Sequence, residues 1–449
     1  MTPPRSPDAA GPGHAYPEGA ARSRLPRALS SLRHRNFRLF WTGQLISLIG
    51  TWMQGVAQAW LVLQLTGDPL ALGIVAAAQF SPVIVFGLFA GVLADAIPKR
   101  TALVGTQVGA MVLALALGLL VSTGSVQVWH VYLLAVLLGV VNAFDMPIRQ
   151  SFVVEMVGRR DIVNAVALNS GVFNGTRIVG PAIAGLLIAG VGLDWCFYIN
   201  ALSYVAVIVG LLRMRPAELL PVERSGLQRN WRSVADQLVE GLRYVRGSGP
   251  VLVALIVLGV VATVALNTPV LIPVLARDVL GGNAETFGFL MAASGIGSVL
   301  SSVSIAFGQR PTMRLLLLGA TAVGVAMIGL GLSRDLYLSL ALMLLAGWGT
   351  IAMAATTNSL IQLSVPDLLR GRVMSVYTTV FAGSVPLGGL FAGSIAALAG
   401  VPAALATGGV LALVTVAAAA ARSAGGGGRV AALRGAPDAD RRRGPARVE

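Results

Sequence analysis

Long apolar runs separated by short polar turns extend over most of the chain. Many of these runs approach the roughly 20 residues that a helix needs to cross about 30 Å of hydrocarbon. Because most connections are very short, consecutive helices are expected to be antiparallel neighbours. The pattern predicts twelve membrane spans, at residues 37–63, 70–95, 101–122, 128–149, 164–190, 193–212, 250–276, 284–307, 312–332, 336–360, 373–399 and 401–421.

The composition favours a membrane protein over a soluble one. The 449 residues are 55% hydrophobic and only 12% charged, whereas a soluble domain carries about 25% charged residues. Lipid must therefore cover the part of the surface that the few charged residues cannot cover. A net charge of +14 would indicate nucleic-acid binding in a soluble protein. Here the basic residues lie in loops and tails, so we expect a lipid bilayer and no nucleic acid as partner.

The basic residues also predict the orientation of the chain. Of 33 Lys and Arg residues, only Arg277 and Arg334 fall in loops on the side opposite the termini, and Arg177 falls inside a span. All the others lie on the side of the termini if twelve spans are correct. The positive-inside rule then places both termini in the cytoplasm.

The polar segments divide the chain into five regions. Two are six-span halves, one is a linker between them, and two are basic terminal segments predicted to be disordered in the cytoplasm. Apolar residues recur at helical spacing from Val234 to Val245 in the linker, which predicts an amphipathic helix at the membrane surface. In chain order the regions are 1–36, 37–212, 213–248, 249–421 and 422–449.

An internal repeat relates the two halves at an offset of 208 residues. It aligns Leu138-Gly139 with Ala346-Gly347, Ser151 with Ser359, Val157 with Val365, Phe173 with Phe381, Gly180 with Gly388, and Gly185 with Gly393. Duplication of a six-helix unit is a transporter architecture with a substrate cavity between the halves. The expected fold is therefore an all-α membrane protein with twelve transmembrane helices in two pseudo-symmetric six-helix bundles.

The turn between spans two and three carries a charged motif, Gly91-Val-Leu-Ala-Asp95-Ala-Ile-Pro-Lys99-Arg100. A plain topogenic signal is one explanation of it. The motif also resembles the signature loop of the major facilitator superfamily. Gly91, Asp95, Lys99 and Arg100 match that loop together with Leu93 and Ala94, whereas Ala96 and Pro98 depart from it. The resemblance implies the major facilitator fold.

The same resemblance implies a conformational latch. In this family the aspartate docks near the start of the eleventh helix, whose positive dipole end attracts it. It also pairs with the loop base and with an acid at the cytoplasmic end of the fourth helix. Asp145, followed by Arg149, occupies that place here. By resemblance, Asp95, Lys99 and Asp145 are expected to form a charge network that holds the outward-open state.

Span five contains a second motif, Gly175-Thr-Arg177-Ile-Val-Gly180-Pro181-Ala-Ile-Ala184-Gly185. Gly and Pro are ordinary in membrane helices, where they allow close packing. The stretch nevertheless resembles the fifth-helix motif of antiporters in the superfamily, with Ala184 in place of one glycine. Arg177 is the basic residue deep inside a span and should face protein or water. It either bonds to helix-end carbonyls or takes part in handling substrate or protons.

Polar residues inside the spans are the candidates for a substrate cavity. Span one carries a stripe on one helical face, formed by Gln44, Ser47, Thr51, Gly55 and Gln58. Asn267 in span seven and Asn358 in span ten are further candidates. Such residues should line a cavity or form hydrogen bonds between helices. No carboxylate lies at mid-depth in span one, and Asp145 and Glu285 are the candidates for carrying a coupling proton.

The sequence contains no motif for catalysis or for a cofactor. There is no Walker loop, and the three histidines and one cysteine provide no metal site and no catalytic dyad. We therefore expect a protein that is not an enzyme and that needs no cofactor.

Four further segments narrow the resemblance to a bacterial branch that includes the enterobactin exporter and is known as the transmembrane secretion effectors. These segments are 35–40, 145–150, 164–170 and 240–246. The resemblance implies a monomeric exporter in the bacterial cell membrane. Its substrate would be a siderophore-like or drug-like small molecule, moved by alternating access with proton-coupled antiport. The alternatives are proton-coupled uptake, or a receptor or scaffold with the same fold.

Overall fold

The computed structural model describes residues 27–220, 231–307 and 311–434, and it gives the backbone alone for 27–28, 88–96, 231–237 and 423–434. The described residues are helical and contain no β-strand. Eleven helices are long and apolar enough to cross a membrane. The spans, numbered in chain order, are Arg35–Thr66 (one), Pro69–Ala96 (two), Lys99–Ser122 (three), the two arms of Val128–Gly190 (four and five), Asp194–Leu212 (six), Gly249–Ala265 with Thr268–Val274 and Leu275–Val279 (seven), Ala284–Ala306 (eight), Met313–Leu332 (nine), Leu336–Ser364 (ten), Asp367–Ala399 (eleven) and Val401–Arg434 (twelve).

One of the eleven helices contains two spans. Val128–Gly190 has 63 residues, which as a straight helix would be about 95 Å long, three times the hydrocarbon thickness. Its helical geometry is interrupted at Gly158, with φ 70° and ψ 175°. Glycine reaches this region without the steric cost that a side chain adds. Spans four and five therefore meet at Gly158, and the prediction of twelve spans is confirmed.

Span seven differs from the continuous helix predicted over 250–276. Its helix stops at Ala265, and Leu266 and Asn267 leave helical geometry with ψ values of 35° and 38°. A new helix begins at Thr268 with Pro269 in its first turn. Proline has no N–H to donate to the preceding turn, and its ring clashes with that turn. Span seven is therefore a discontinuous helix, as in other transporter folds.

The terminal segments are more helical than predicted. Residues 27–33 form a short 3-10 helix, although 1–36 was expected to be disordered. Span twelve continues to Arg434, although a disordered tail was expected from 422. Alanine-rich sequence on both sides of four glycines favours continuation of the helix. The remainder of the predicted arm and tail, 1–26 and 435–449, lies outside the described residues.

The linker contains the helix that the apolar spacing predicts, at Trp231–Gly247. Val245 is buried against the second half of the protein. Gly241 lies against the backbone of Arg372 in span eleven, and the Arg372 guanidinium forms an ion pair with Glu240. The linker helix is thus attached to the second half.

The repeated glycines make equivalent contacts in the two halves. Gly180 of span five packs on span one, and Gly388 of span eleven packs on span seven. Gly185 packs on the start of span eight, and Gly393 packs on the start of span two. The two sets of contacts are related by exchange of the halves. This confirms the two pseudo-symmetric six-helix bundles.

The halves meet at the end of the bundle opposite the chain termini, here called the closed end. Spans five and eight approach so closely there that a Cβ at Gly288 would lie 2.6 Å from the Pro181 carbonyl oxygen. The rings of Trp60 and Phe287 stack across the same junction with centroids 6.3 Å apart. The Arg277 guanidinium donates a hydrogen bond across it to the Leu63 carbonyl, at 3.1 Å.

The other end, which carries the termini, is here called the terminal end. A Cβ placed at Gly87 of span two or Gly383 of span eleven would meet no neighbouring atom within 4 Å. Among the described residues, no ion pair joins the two halves at this end. From the described contacts we infer that a central cavity opens toward the terminal end and is sealed at the closed end.

Candidate functional site in the central cavity

The polar stripe of span one faces the interior of the first half. An adjacent face of the helix packs on span six, where Gly50 lies against Asn200. Thr51 and Gly55 are exposed, whereas the other three residues of the stripe are buried. The Thr51 hydroxyl donates to the Ser47 carbonyl at 2.9 Å. Of the predicted cavity residues in span one, Thr51 is thus open to the cavity, whereas Gln44 and Gln58 are covered by protein.

Asp145 is the centre of a buried polar cluster near the terminal end. Its side chain accepts hydrogen bonds from the Thr106 hydroxyl at 2.7 Å and from the Gln107 amide at 2.8 Å. Arg149, one helical turn further on, donates to Asp145 through Nε at 2.8 Å and also contacts the Gln44 side-chain oxygen. The structure thus brings Asp145, Arg149 and Gln44 together, and the Arg149 charge has an acidic partner.

Lys99 contacts an acid that the sequence analysis did not name. Its ammonium forms an ion pair of 2.7 Å with Glu155 of span four. Arg100 donates from Nε to the Leu211 carbonyl at 2.6 Å and so caps the end of span six. Glu155 escaped the sequence prediction, although it is the one acid between residues 146 and 160.

The other two residues of the predicted latch are Gly91 and Asp95. They lie in the last turns of span two, for which the structure describes the backbone alone.

The antiporter-like motif joins spans one, five and eight. Gly180 lies against Trp52 of span one, and Pro181 and Gly185 lie against Gly288 of span eight. Arg177 precedes these contacts on the same helix, and its backbone lies against Gly295 of span eight. Its guanidinium carbon lies 5.7 Å from the centroid of the Trp52 ring.

Arg177 forms neither a hydrogen bond nor an ion pair with any residue that the structure describes. Its Nε is buried and lacks an acceptor, as does the buried indole nitrogen of Trp52. The two terminal nitrogens of Arg177 are not among the buried unpaired atoms, so they keep some accessible surface.

The two asparagines predicted to line the cavity both contact protein. Asn267 is buried at the break in span seven, and its amide donates to the Thr263 carbonyl at 2.8 Å. Asn358 accepts a hydrogen bond of 2.6 Å from Gln362 and lies within hydrogen-bonding distance of Tyr377. Within the described residues, each asparagine therefore contacts residues of its own helix or of a neighbouring helix.

The turn between spans four and five anchors the N-terminal segment, a contact that the sequence did not indicate. Asp161 accepts hydrogen bonds from the Ser30 hydroxyl at 3.0 Å and pairs with His34 at 2.8 Å. Burial raises the pKa of this carboxyl, but the hydrogen bonds from His34 and Ser30 outweigh it. The pKa of Asp161 is therefore below its ordinary value.

Two six-span bundles related by a pseudo-twofold axis, with a cavity that opens at one end, define a membrane transporter of the major facilitator type. Residues 27–424 match the family described as transmembrane secretion effector. The chain belongs to this family, whose members are transporters and not enzymes.

Two characterised relatives are similar over most of their length. The multidrug efflux pump Tap of Mycolicibacterium fortuitum is 32% identical over 357 residues, which are 78% of this chain and 86% of Tap. The enterobactin exporter EntS of Escherichia coli is 26% identical over 372 residues, which are 81% of this chain and 86% of EntS.

Solved structures share the fold at low identity. The nucleoside transporter NupG superposes with a TM-score of 0.68 at 11% identity, covering 89% of this chain and 99% of NupG. A bacterial homologue of the transporter Spinster, in an inward-facing and unoccupied conformation, superposes with a TM-score of 0.65 at 13% identity, covering 89% of this chain and 96% of that one. At these identities the similarity concerns the fold alone.

Proposed function

We propose that this protein is a secondary active exporter that moves a small molecule out of the bacterial cytoplasm by alternating access. The proposal is carried by the contacts that join the two halves at the closed end, from which we infer a cavity that opens at the terminal end. The excess of Lys and Arg at that end supports its assignment to the cytoplasm. A substrate would enter the cavity from the cytoplasm and leave once the closed end opens.

The functions of these two relatives support export. Tap is an efflux pump for multiple drugs, and EntS exports enterobactin. Both functions move a small organic molecule across the membrane.

The ion pairs near the terminal end suggest how the conformations are balanced. Lys99–Glu155 and Arg149–Asp145 both lie within the first half. In the proposal, Asp95 contacts span eleven when the terminal end closes, and so stabilises the outward-open state. Asp95→Asn is then expected to slow transport without loss of folded protein. Unimpaired transport by a well-expressed variant would contradict the latch.

Asp145 is the proposed site of proton coupling. It is the one charged residue among the described side chains that are fully buried. Protonation would remove the charge that holds Arg149 and would free its guanidinium to leave Gln44. Proton binding would thereby change a contact at the mouth of the cavity, which is what an antiporter requires.

Transport in inside-out membrane vesicles tests the proposal. A panel of fluorescent dyes is added outside, and an acidic vesicle interior is imposed. The expected result is accumulation that an uncoupler abolishes and that Asp145→Asn reduces. Glu218→Gln, which removes a charge from an exposed loop, is the matched control and should have no effect. Flux in the opposite direction would indicate uptake, and no flux of any dye would favour a receptor or scaffold.

A further inference from the structure

Arg177 differs from Lys99 and Arg149, the two cationic groups of the predicted latch that have acidic partners. Lys99 is paired with Glu155, and Arg149 is paired with Asp145. Arg177 has no acidic partner and no acceptor among the described residues. Arginine cannot lose its proton at any physiological pH. The charge therefore remains, and none of the described side chains balances it.

The position of Arg177 excludes ion pairs with the acids that lie nearest to it along the fold. It lies about 20 Å from the closed end of span five, at a rise of 1.5 Å per residue. Glu285 lies beside Gly185, about two helical turns further toward the closed end. Asp145 is already bound by Arg149 and two neutral donors. An anion that reaches Arg177 must therefore come from the cavity.

The surroundings of Arg177 suit an organic anion. The Trp52 ring faces the guanidinium and can hold it by a cation–π interaction. Phe173 packs edge-on against the same ring at 5.5 Å. Ser170 and Asn174 precede Arg177 at the helical spacing that places all three on one face, and Ser170 is exposed. The terminal nitrogens of a guanidinium match the two oxygens of a carboxylate or sulfonate.

We propose that Arg177 and Trp52 form an anion-binding subsite at the inner end of the cavity, and that the exported substrates are organic anions with an aromatic or apolar body. The inference rests on the proposed export function and specifies its substrate class. The anionic group binds the terminal nitrogens of Arg177, and its body lies against Trp52 and Phe173. Binding supplies the negative charge that the empty site lacks, so transport is selective for anions over cations of the same shape.

A matched dye pair tests this selectivity directly. Fluorescein, an anion at slightly alkaline pH, and rhodamine 123, a cation, share one ring skeleton. Their binding to the full chain in lipid nanodiscs is measured by fluorescence polarisation. The wild type is expected to bind fluorescein more tightly. Arg177→Gln should weaken the binding of fluorescein by about tenfold or more, as loss of a charge-assisted hydrogen bond does. The binding of rhodamine 123 should not weaken.

Two further variants separate recognition from folding. Arg334→Gln removes the same charge from a loop at the closed end and should leave both dyes unaffected. Arg177→Lys keeps the charge but loses the planar fork, and it should bind fluorescein with intermediate affinity. If Arg177→Gln does not fold, the lysine variant carries the test. The proposal is overturned if the wild type prefers rhodamine 123 or does not bind fluorescein. It is also overturned if Arg177→Gln or Arg177→Lys weakens both dyes equally, as a purely structural role would.

The vesicle transport assay distinguishes failure of this inference from failure of the proposed function. Transport of fluorescein that requires Arg177 supports both. Transport of rhodamine 123 but not of fluorescein leaves export standing and overturns the anion subsite. If neither dye moves under any imposed gradient, the export function fails, and the inference fails with it.

Discussion

Substitution of Gly288 by alanine should shift the protein away from the conformation described above. Gly288 is on span eight where it meets span five at the closed end. A Cβ added there would lie 2.6 Å from the Pro181 carbonyl oxygen and 2.9 Å from the Cα of Gly185. Real Cβ atoms do not approach other atoms so closely, and both obstacles are backbone. The two helices must therefore separate.

The expected size of this shift follows from the cost of overpacking. Inserting a methyl group into a close-packed junction costs about 1–3 kcal/mol. The cost applies only while spans five and eight are in contact, so it acts on the conformational equilibrium. A difference of that size changes the ratio of two states by roughly 5- to 150-fold. The gain in helix propensity from Gly to Ala is common to both states and cancels.

The distance between two spin labels placed across the terminal end, measured by electron paramagnetic resonance, would detect the change. Cys196 is the only cysteine and is replaced by alanine. Spin labels are then attached at Arg159 in the first half and at Leu368 in the second, both exposed. Gly288→Ala is expected to raise the population with a short distance, because the terminal end closes when the closed end opens.

Gly105→Ala is the matched control, because a Cβ at Gly105 in span three meets no atom within 4 Å. It should leave the distance distribution of the wild type unchanged. The reasoning is refuted if folded Gly288→Ala has the same distance distribution as this control.

Three other contacts give testable expectations. Lys99→Gln and Glu155→Gln each remove one partner of the Lys99–Glu155 pair, and the two variants should change the transport rate to a similar extent. The double variant should be no worse than either single variant. A double-mutant cycle on dye efflux measures this coupling. Asp161→Asn should release the 3-10 helix at 27–33, seen as faster amide hydrogen exchange there. Although burial opposes it, hydrogen bonding lowers the pKa of Asp161, so its stabilising contribution is complete above the ordinary carboxyl pKa and is lost as pH falls through the lowered value. The amide protection of residues 27–33 should therefore decrease only in acid. A decrease in this protection at neutral pH would contradict the prediction. Pro269→Ala should extend the helix of span seven through its break by restoring an N–H. Greater amide protection at Leu266 and Asn267 would show this, and unchanged protection there would show that the break has another cause.

The sequence by itself determined the number of spans, the two-half architecture and the family. Membrane insertion depends on the summed hydropathy of about 20 consecutive residues, so it can be read from local composition. The repeat that aligns Gly180 with Gly388 likewise shows, in the linear sequence, that the chain consists of two related halves. The interruption at Gly158 was predicted only as a polar turn, because a sequence does not state the φ angle at which a chain reverses.

The tertiary structure alone decided which charges are paired. Lys99 and Arg149 have acidic partners, and Arg177 does not. Sequence placed all three near the first-half motifs, but pairing depends on distances of a few ångströms between helices that are remote along the chain. An ion pair forms only where the charged ends of two side chains come within about 4 Å of each other. The unpaired charge of Arg177, which carries the inference about substrate, therefore became visible only once spans one, five and eight were assembled around it.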